Sequence, residues 1–345
     1  MKKTETIVLL IMLVILAIFP LLFPNPGATS VAFFAVIYAV AAAGWNIFSG
    51  FSGYISLGYA VFSGIGAYSL ALICQKWNIQ GDYIPFAFVL VAGLIASIFA
   101  LPIGLIILRT RRHVFVVVTV ATLFIMQLLA YNLHGFTNGS AGMTLPLPSW
   151  SGDFFNIPFY YMAFILLIAA ILMSWLIRHS KFGLGLLAIR EDEDRASSLG
   201  INTTKYKLIA LMISAFFAGT AGAMISYFTS TVFPPEAFDP TFDIAVALMT
   251  FFGGVGTLAG PVLGALLVEP LQQYATLEFG TAGFDLILFG GLLLAVILLL
   301  PEGIVPSLTK LVLKIIATRT WAPDAVAAEE IRNTEGLALE EKKNG

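Results

Sequence analysis

The stretch G50-F-S-G-Y-I-S-L-G-Y-A-V-F-S-G-I-G66 places five glycines inside a run that is otherwise mostly apolar and aromatic. A second dense run, F252-G-G-V-G-T-L-A-G260 with Pro261 directly after it, follows in the other half of the chain. Small residues at this spacing allow close helix packing, and glycine with proline also breaks or bends helices. Two interrupted segments, one in each half, are typical of an internally repeated transporter around its substrate route.

The composition around these runs predicts an integral membrane protein. Of the 345 residues 59% are apolar and only 11% are charged, whereas a soluble domain carries about a quarter. Apolar runs long enough for a helix to cross a bilayer lie near 7–23, 31–48, 54–75, 85–108, 114–131, 158–177, 208–228, 243–268 and 284–300. Lipid offers no partners for backbone polar groups, so these runs must be helical. We expect an all-α polytopic membrane protein of about eight to ten transmembrane helices, with an inverted-repeat-like core and broken or re-entrant helices.

The distribution of basic residues predicts which loops face the cytoplasm. Lysine and arginine cluster at 109–112, 178–207 and 310–319, and by the positive-inside rule these regions are cytoplasmic. The connections 132–157, 229–242 and 269–283 contain no Lys or Arg and are predicted to be external. One apolar run, 243–268, separates two external loops, so it must be broken or re-entrant. Lys2 and Lys3 before the first run indicate an uncleaved span with a cytoplasmic N-terminus.

Three regions follow from this pattern. Residues 1–30 form an N-terminal transmembrane segment, 31–305 form the transmembrane domain, and 306–345 form a polar cytoplasmic tail. Both termini are expected on the cytoplasmic side of the membrane.

Six consecutive charged residues, Arg190 to Arg195, must lie in water, because each would cost ~2.5–3.5 kcal/mol at mid-bilayer. The segment from Glu191 to Leu199 lacks Pro and Gly, which predicts a short amphipathic helix at about 190–200, with Ala196 and Leu199 on one side. Gly200 is expected to end it. Such a helix can dock into a groove on another protein. The residues assigned to this docking are Glu191, Asp192, Glu193, Asp194, Arg195, Ala196, Leu199 and Gly200.

Several functions are disfavoured by what the sequence lacks. A net charge of −2 gives no basic stripe for nucleic acid, and His113, His134 and His179 are isolated, so no metal site is predicted. No G-x-x-x-x-G-K-[ST] motif is present to hold ATP phosphates. An ion-coupled secondary transporter would need a carboxylate near mid-membrane, and the apolar runs have none at their centres. A membrane transferase would need a second acidic cluster facing 191–194.

Four ordered motifs resemble the LivM-type permeases of branched-chain amino-acid ABC importers. They are G50 to Y68, F252-G-G-V-G-T-L-A-G-P-V-L-G-A265, L299-L-P-E-G303, and A188-I-R-E-D-E-D-R-A-S-S-L-G-I-N202 with the segment K205 to A223 that follows it. The resemblance covers about residues 36 to 305. It implies a permease of the bacterial cytoplasmic (inner) membrane that is not itself an enzyme and binds no cofactor. It also implies a homologous LivH-like permease, two cytoplasmic ATPases that hold ATP and Mg²⁺, an external substrate-binding protein, and surrounding membrane lipid. The helix at 190–200 would then be the coupling helix.

Under this reading the substrate route is lined by small and polar groups of the broken segments. The expected pathway residues are Asn46, Tyr54, Ser56, Tyr59, Gln127 and Thr137. The expected helix-breaking glycines are Gly53, Gly58, Gly64, Gly66, Gly253, Gly254, Gly256 and Gly260. The family usually has Gln at Tyr54, His at Tyr59 and Glu at Gln127, and its T-G-G-x-x-G loop reads T137-N-G-S-A-G142 here. Urea or short amides therefore stay open as alternative cargo.

Overall fold

The computed structural model describes residues 3–23, 25–150, 154–279, 290–291, 294 and 303–307. Nearly all of the secondary structure in these ranges is helical, which confirms the all-α prediction. In chain order the helices are α1 Lys3–Leu22, α2 Pro26–Trp45, α3 Ala60–Lys76, α4 Ile84–Ile107, α5 Arg112–Asn132, α6 His134–Thr137, α7 Asn156–Arg178, α8 Lys181–Glu191, α9 Glu193–Ser198, α10 Thr203–Thr229, α11 Pro234–Ala237, α12 Pro240–Gly253 and α13 Gly260–Phe279. The two short strands are β1 Met143–Thr144 and β2 Thr231–Val232. The last predicted apolar run, 284–300, and the polar tail lie almost entirely outside the described residues.

Five helical segments of the described chain are long and apolar enough to cross a membrane: Pro26–Gly50, Ile84–Ile107, His113–Asn132, Asn156–Arg178 and Thr203–Thr229. Their positions differ within the bundle. In the most apolar part of the segment that includes α2, 78% of the residues are buried, and in that of α10, 67% are buried. In the corresponding part of α5 only 22% are buried. The centre of the bundle is therefore built on α2 and α10, and α5 lies at its periphery with apolar side chains exposed. Helices α1 and α3 are shorter apolar segments.

The bundle has two ends of different chemistry. At one end α4 and α7 finish and α5 and α10 begin, near Arg111, Arg178 and Lys207; we call this the basic end. At the opposite end Asn156 at the start of α7 donates a 2.7 Å hydrogen bond to the carbonyl oxygen of Pro26 at the start of α2.

The first glycine-dense stretch is a break between two helices. Helix α2 continues into a π-helical turn, Asn46–Gly50; helical backbone ends at Ser52 and resumes at Ala60. Gly53 has a φ of +74°, in the left-handed region that favours glycine because it has no Cβ. The predicted apolar run 54–75 therefore begins with irregular backbone, and the predicted break is confirmed.

The second glycine-dense stretch is a turn between two antiparallel helices. Helix α12 ends at Gly253, residues 254–259 form the turn, and α13 starts at Gly260. The run 243–268 is therefore two helices that pack against each other, and it returns to the end from which it started. This geometry explains why external loops were predicted on both sides of a single apolar run.

The chain enters α12 through residues 231–242, which fold into the bundle and which we call the re-entrant segment. After α10, β2 pairs antiparallel with β1, with Val232 opposite Met143. The Phe238 ring then stacks on Tyr68 of α3, with centroids 6.0 Å apart. Asp243, in the first turn of α12, accepts a 2.7 Å hydrogen bond from the backbone N–H of Ala60, at the start of α3. The two broken elements therefore meet inside the bundle.

Close packing of α3 on α10 depends on glycine. A Cβ atom on Gly66 would lie 2.5 Å from the Cα atom of Gly219, nearer than real Cβ contacts allow. Gly58 and Gly64 are equally crowded, by the backbone of Thr119 and the ring of Phe238. These glycines are therefore contact points between helices, as in other small-residue helix interfaces.

The predicted single helix at 190–200 is wrong in its bounds. Helix α8 runs to Glu191, Asp192 has extended backbone, and its carboxylate accepts a 3.0 Å hydrogen bond from the N–H of Arg195. Asp192 thus caps a separate helix, α9, because a capping aspartate lies outside the helix that it starts. Ala196 is buried whereas Leu199 is 83% exposed, so they do not share a face. Leu199 follows the last residue of α9, and Gly200 with a φ of +86° ends the segment as predicted.

Candidate functional site

Two arginines at the basic end bind the two glycine-rich breaks. The guanidinium of Arg190, in α8, donates a 2.8 Å hydrogen bond to the carbonyl oxygen of Gly50. The guanidinium of Arg178, at the end of α7, donates a 3.0 Å hydrogen bond to the carbonyl oxygen of Gly256. A broken helix leaves carbonyl groups without helical partners, and a charged donor satisfies them strongly. We call this meeting of α7–α9 with residues 46–59 and 254–259 the junction.

Asn46 joins the two breaks to each other. Its Nδ2 atom donates a 2.9 Å hydrogen bond to the carbonyl oxygen of Thr257, and its Oδ1 atom accepts a 2.8 Å bond from the N–H of Gly256. The residue is 1% exposed. An amide side chain offers both a donor and an acceptor, which is what a turn with a free N–H and a free C=O requires.

Glu193 connects α9 to the first break and to α10. Its carboxylate accepts a 2.6 Å hydrogen bond from the ammonium of Lys207 and a further one from the hydroxyl of Tyr54. The Lys207 ammonium also lies 4.2 Å from the centre of the Tyr54 ring. Partial burial raises the pKa of Glu193, but the hydrogen bonds from Lys207 and Tyr54 together with the Lys207 charge outweigh it, so the net pKa is lowered. Glu193 is held as a carboxylate.

A groove of about 640 Å³ opens beside this carboxylate, between the start of α5 and the α8–α9 segment. Its lining includes Tyr54, His113 and the acidic residues 191–194. Arg111 reaches across to Asp194 at 3.6 Å, but both side chains are more than three-quarters exposed. Such an exposed pair contributes ~0–1 kcal/mol, so it does not fix the groove closed.

Four of the six predicted pathway residues lie at the first break. Asn46 and Tyr54 belong to the junction. The backbone of Ser56 accepts a 2.9 Å hydrogen bond from the indole of Trp45, and the Tyr59 hydroxyl donates to carbonyl groups of Ala41 and Ser214, each at 3.1 Å. All four are buried.

The other two predicted pathway residues lie apart from the break, on the α5 side of the bundle. Gln127 donates a 3.3 Å hydrogen bond to the carbonyl oxygen of Phe238, and Thr137 donates a 2.9 Å bond to that of Leu133. They support the re-entrant segment and the loop before β1. Both side chains hold backbone carbonyl groups in place, which ordinary packing residues also do.

Sequence reasoning did not single out four charged residues that hold the junction and its surroundings: Arg178, Arg190, Lys207 and Asp243. Lys207 and Asp243 are at most 2% exposed. A usable signal existed for both Lys207, directly before the predicted span 208–228, and Asp243, the first residue of the run 243–268, since a charged group that is buried at the end of a span must find a partner. The sequence did not indicate the partners: Ala60, which Asp243 binds, is 183 positions away. Within the described part of the chain, no three His, Cys, Asp or Glu side chains are placed to share a metal ion.

The sequence was compared with models of known protein families. A family described as branched-chain amino acid transport system, permease component, matches residues 27–297, which is most of the chain and includes both breaks and the junction. The chain belongs to the branched-chain amino acid transport permease family. This result confirms the resemblance found in the four sequence motifs. Members of this family are transport components and not enzymes.

The curated proteins that are similar in sequence to this chain include both LivM and LivH permease proteins. The high-affinity branched-chain amino acid transport system permease protein LivM of Salmonella typhimurium is 26% identical over 329 residues, covering 88% of this chain and 75% of the relative. The corresponding LivH protein of Escherichia coli is 26% identical over 283 residues, covering 77% and 90%. The xylose transport system permease protein XylH of Haemophilus influenzae is 30% identical over 146 residues, covering 41% and 38%. No solved structure matches this chain.

Proposed function

We propose that this chain is the transmembrane permease subunit of an ATP-binding-cassette importer that carries branched-chain amino acids into a bacterial cell. The observation that carries the proposal is the junction, in which Arg190 of α8 and Glu193 of α9 are bonded to the first glycine-rich break and Arg178, at the end of α7, is bonded to the second. A force applied to these surface helices reaches the broken elements through hydrogen bonds to charged groups. That is the connection an externally powered permease needs.

The energy source would be two ATPase subunits docked at the basic end, which we place in the cytoplasm with both chain termini. The α9 segment offers a docking feature: Leu199 is 83% exposed, and nothing lies within 4 Å of a Cβ on Gly200. An apolar side chain this exposed beside acidic residues suits a groove on a partner protein. ATP and Mg²⁺ would be held by those partners.

A homologous second permease would complete the membrane unit. This chain is similar over most of its length both to a LivM and to a LivH protein, so the two subunits of such a pair share one fold. A substrate-binding protein would deliver cargo at the end opposite the junction. The exposed apolar side chains of α4 and α5 are suited to lipid or to the second permease.

Reconstitution into proteoliposomes tests the proposal. Leucine uptake is measured with the second permease and the binding protein present, and with the ATPase subunits either wild-type or inactivated in their ATP site. We expect uptake only with active ATPases, and we expect leucine to be carried in preference to urea. Uptake that survives ATPase inactivation and follows a Na⁺ or H⁺ gradient would contradict the proposal. Asp243→Asn in the same assay examines a buried carboxylate of α12, bonded to the N–H of Ala60, that an ion-coupled transporter could use.

A further inference from the structure

A cavity of about 120 Å³ lies at the end opposite the junction, which we call the outer cavity. It is enclosed by α2, α3, α10 and the re-entrant segment 231–242. None of the residues predicted to line the substrate pathway borders it. The lining residues that carry its chemistry are Tyr38, Ser63, Ile225, Glu236, Asp239 and Phe242.

The polar side of the outer cavity is acidic. Glu236 and Asp239 both border it, and none of its described lining residues is Lys, Arg or His. Asp239 is held in place because one of its oxygens accepts a 2.9 Å hydrogen bond from the N–H of Thr241 and the other accepts one from the Thr241 hydroxyl. An ionised carboxylate can accept about four hydrogen bonds, so both acids retain capacity for a cation. The cavity therefore favours a positive group and disfavours an anion.

The remaining walls are apolar or bear hydroxyl groups. Ile225 and Phe242 present apolar surface, and Tyr38 and Ser63 provide hydroxyls that can donate to a carboxylate. One water needs roughly 10–15 Å³ of such space, so this volume holds on the order of ten non-hydrogen atoms. Leucine has about nine non-hydrogen atoms and combines an ammonium, a carboxylate and an aliphatic chain, which matches the volume available.

Phe242 forms the floor of the cavity and connects it to the first break. Its ring lies 5.3 Å from the Tyr38 ring and stacks at 6.4 Å on the ring of Tyr59, centroid to centroid. Tyr59 directly precedes α3, and the neighbouring Asp243 is bonded to the N–H of Ala60. Movement of the break would therefore move the floor.

We propose that the outer cavity binds an aliphatic amino acid, with Glu236 and Asp239 receiving its ammonium group and Phe242 closing the route beneath it. This inference rests on the proposed function and assigns that function a substrate site. The ligand leaves towards the junction only when the stacked rings of Phe242 and Tyr59 separate.

Photo-crosslinking tests the site in the assembled transporter. Photo-leucine, a leucine with a diazirine in its side chain, is added to the reconstituted complex without binding protein, and labelled peptides are identified by mass spectrometry. We expect labelling within 225–242 that excess leucine suppresses. Isocaproate, which keeps the aliphatic chain and carboxylate of leucine but lacks the ammonium, should compete at least about ten-fold less well, equivalent to ~1.4 kcal/mol.

Two kinds of variant separate the site from general effects on folding. Ala67→Phe fills the outer cavity, and Ala87→Phe adds the same ring at an exposed position of α4. Glu236→Gln with Asp239→Asn removes the acidic side while retaining a capping amide at 239. Asp82→Asn is the charge control, because the Asp82 carboxylate accepts a 2.8 Å hydrogen bond from the N–H of Ser149 and does not border the cavity. We expect Ala67→Phe and the double variant each to lower labelling by about ten-fold or more, and both controls to leave it unchanged.

Labelling only of residues that do not border the outer cavity, or equal competition by isocaproate, would overturn the inference. Insensitivity of the label to both the cavity-filling and the charge variants would overturn it as well. Leucine uptake by the same wild-type proteoliposomes is recorded in parallel. If uptake depends on active ATPases while the label avoids the outer cavity, the site assignment fails and the proposed function stands. If uptake does not depend on ATPases, the proposed function fails, whatever the label shows.

Discussion

Arg190 of α8 donates a 2.8 Å hydrogen bond to the carbonyl oxygen of Gly50, at the end of the π-helical turn. The pair joins a surface segment to the point where a central, largely buried helix is interrupted. Together with Arg178 on Gly256 and Glu193 on Tyr54, it makes the α7–α9 region the support of both breaks.

Replacing Arg190 by Met should destabilise the protein. The methionine keeps the apolar stem but leaves the buried Gly50 carbonyl without its charged donor, which costs ~1–3 kcal/mol. The matched control is Arg195→Met, whose side chain is 86% exposed and pairs with Asp192 at the surface, and which should cost ~0–1 kcal/mol. Denaturant unfolding in detergent measures both. Equal free energies of unfolding for the two variants would contradict the role of Arg190.

Replacing Asn46 by Leu should separate the two breaks. Two hydrogen bonds to the 254–259 turn are lost, and a buried N–H and C=O are left without partners, so we expect a loss of ~2–4 kcal/mol. Asn132→Leu removes an exposed asparagine with one local bond and should change stability by no more than ~0.5 kcal/mol. The free energy of unfolding is measured for both variants. A neutral Asn46→Leu would show that the breaks are held by other contacts.

The attachment of α9 should depend on pH through Glu193. The pKa of Glu193 is lowered in the folded protein from its ordinary value of 4.5, so the unfolded chain binds a proton more readily. The resulting stabilisation is fully present above about pH 4.5 and is lost as the pH falls through the lowered pKa. Thermal unfolding between neutral pH and pH 3 should show this loss in the wild-type protein and less of it in Glu193→Gln. Identical pH profiles for the wild-type protein and Glu193→Gln would contradict this role of Glu193.

Replacing Gly66 by Ala should force α3 away from α10. The added methyl would meet the backbone of Gly219, and overpacking of this kind costs ~1–3 kcal/mol, more than the ~1 kcal/mol that alanine gains over glycine inside a helix. Gly135→Ala is the control, because nothing lies within 4 Å of a Cβ there. We expect a lower unfolding temperature for the first variant only. A rise for both would mean that the helices are not in close contact at Gly66.

Long apolar runs and glycine-dense stretches were sufficient to predict the class of fold and both breaks. They reflect local requirements: a span needs about 20 apolar residues, and a turn such as that at Gly53 needs a residue without a Cβ. The helix bounds at the basic end were less predictable. Asp192 fits a helix by composition as well as it fits a cap, and only the folded backbone shows that α8 ends before it.

The junction itself could not be predicted, because each of its bonds joins distant parts of the sequence. Asn46 and Thr257 are 211 positions apart, and Arg190 and Gly50 are 140 apart. A local pattern identifies these residues as polar but does not identify their partners. Four of the six pathway residues named from the sequence lie at the first break, whereas the charged groups that bind the breaks did not emerge until the fold was known.

The most direct test of the central claim compares leucine uptake with ATP hydrolysis in the same proteoliposomes for Tyr54→Phe. This variant removes the hydroxyl bond to Glu193 and keeps the ring beside Lys207. If this hydrogen bond transmits force from α9 to the first break, leucine uptake should fall about ten-fold while ATP hydrolysis stays within about two-fold of wild type. This corresponds to a loss of coupling free energy of ~1.4 kcal/mol. Uptake and hydrolysis that both stay at wild-type levels, or that fall in equal proportion, would contradict it.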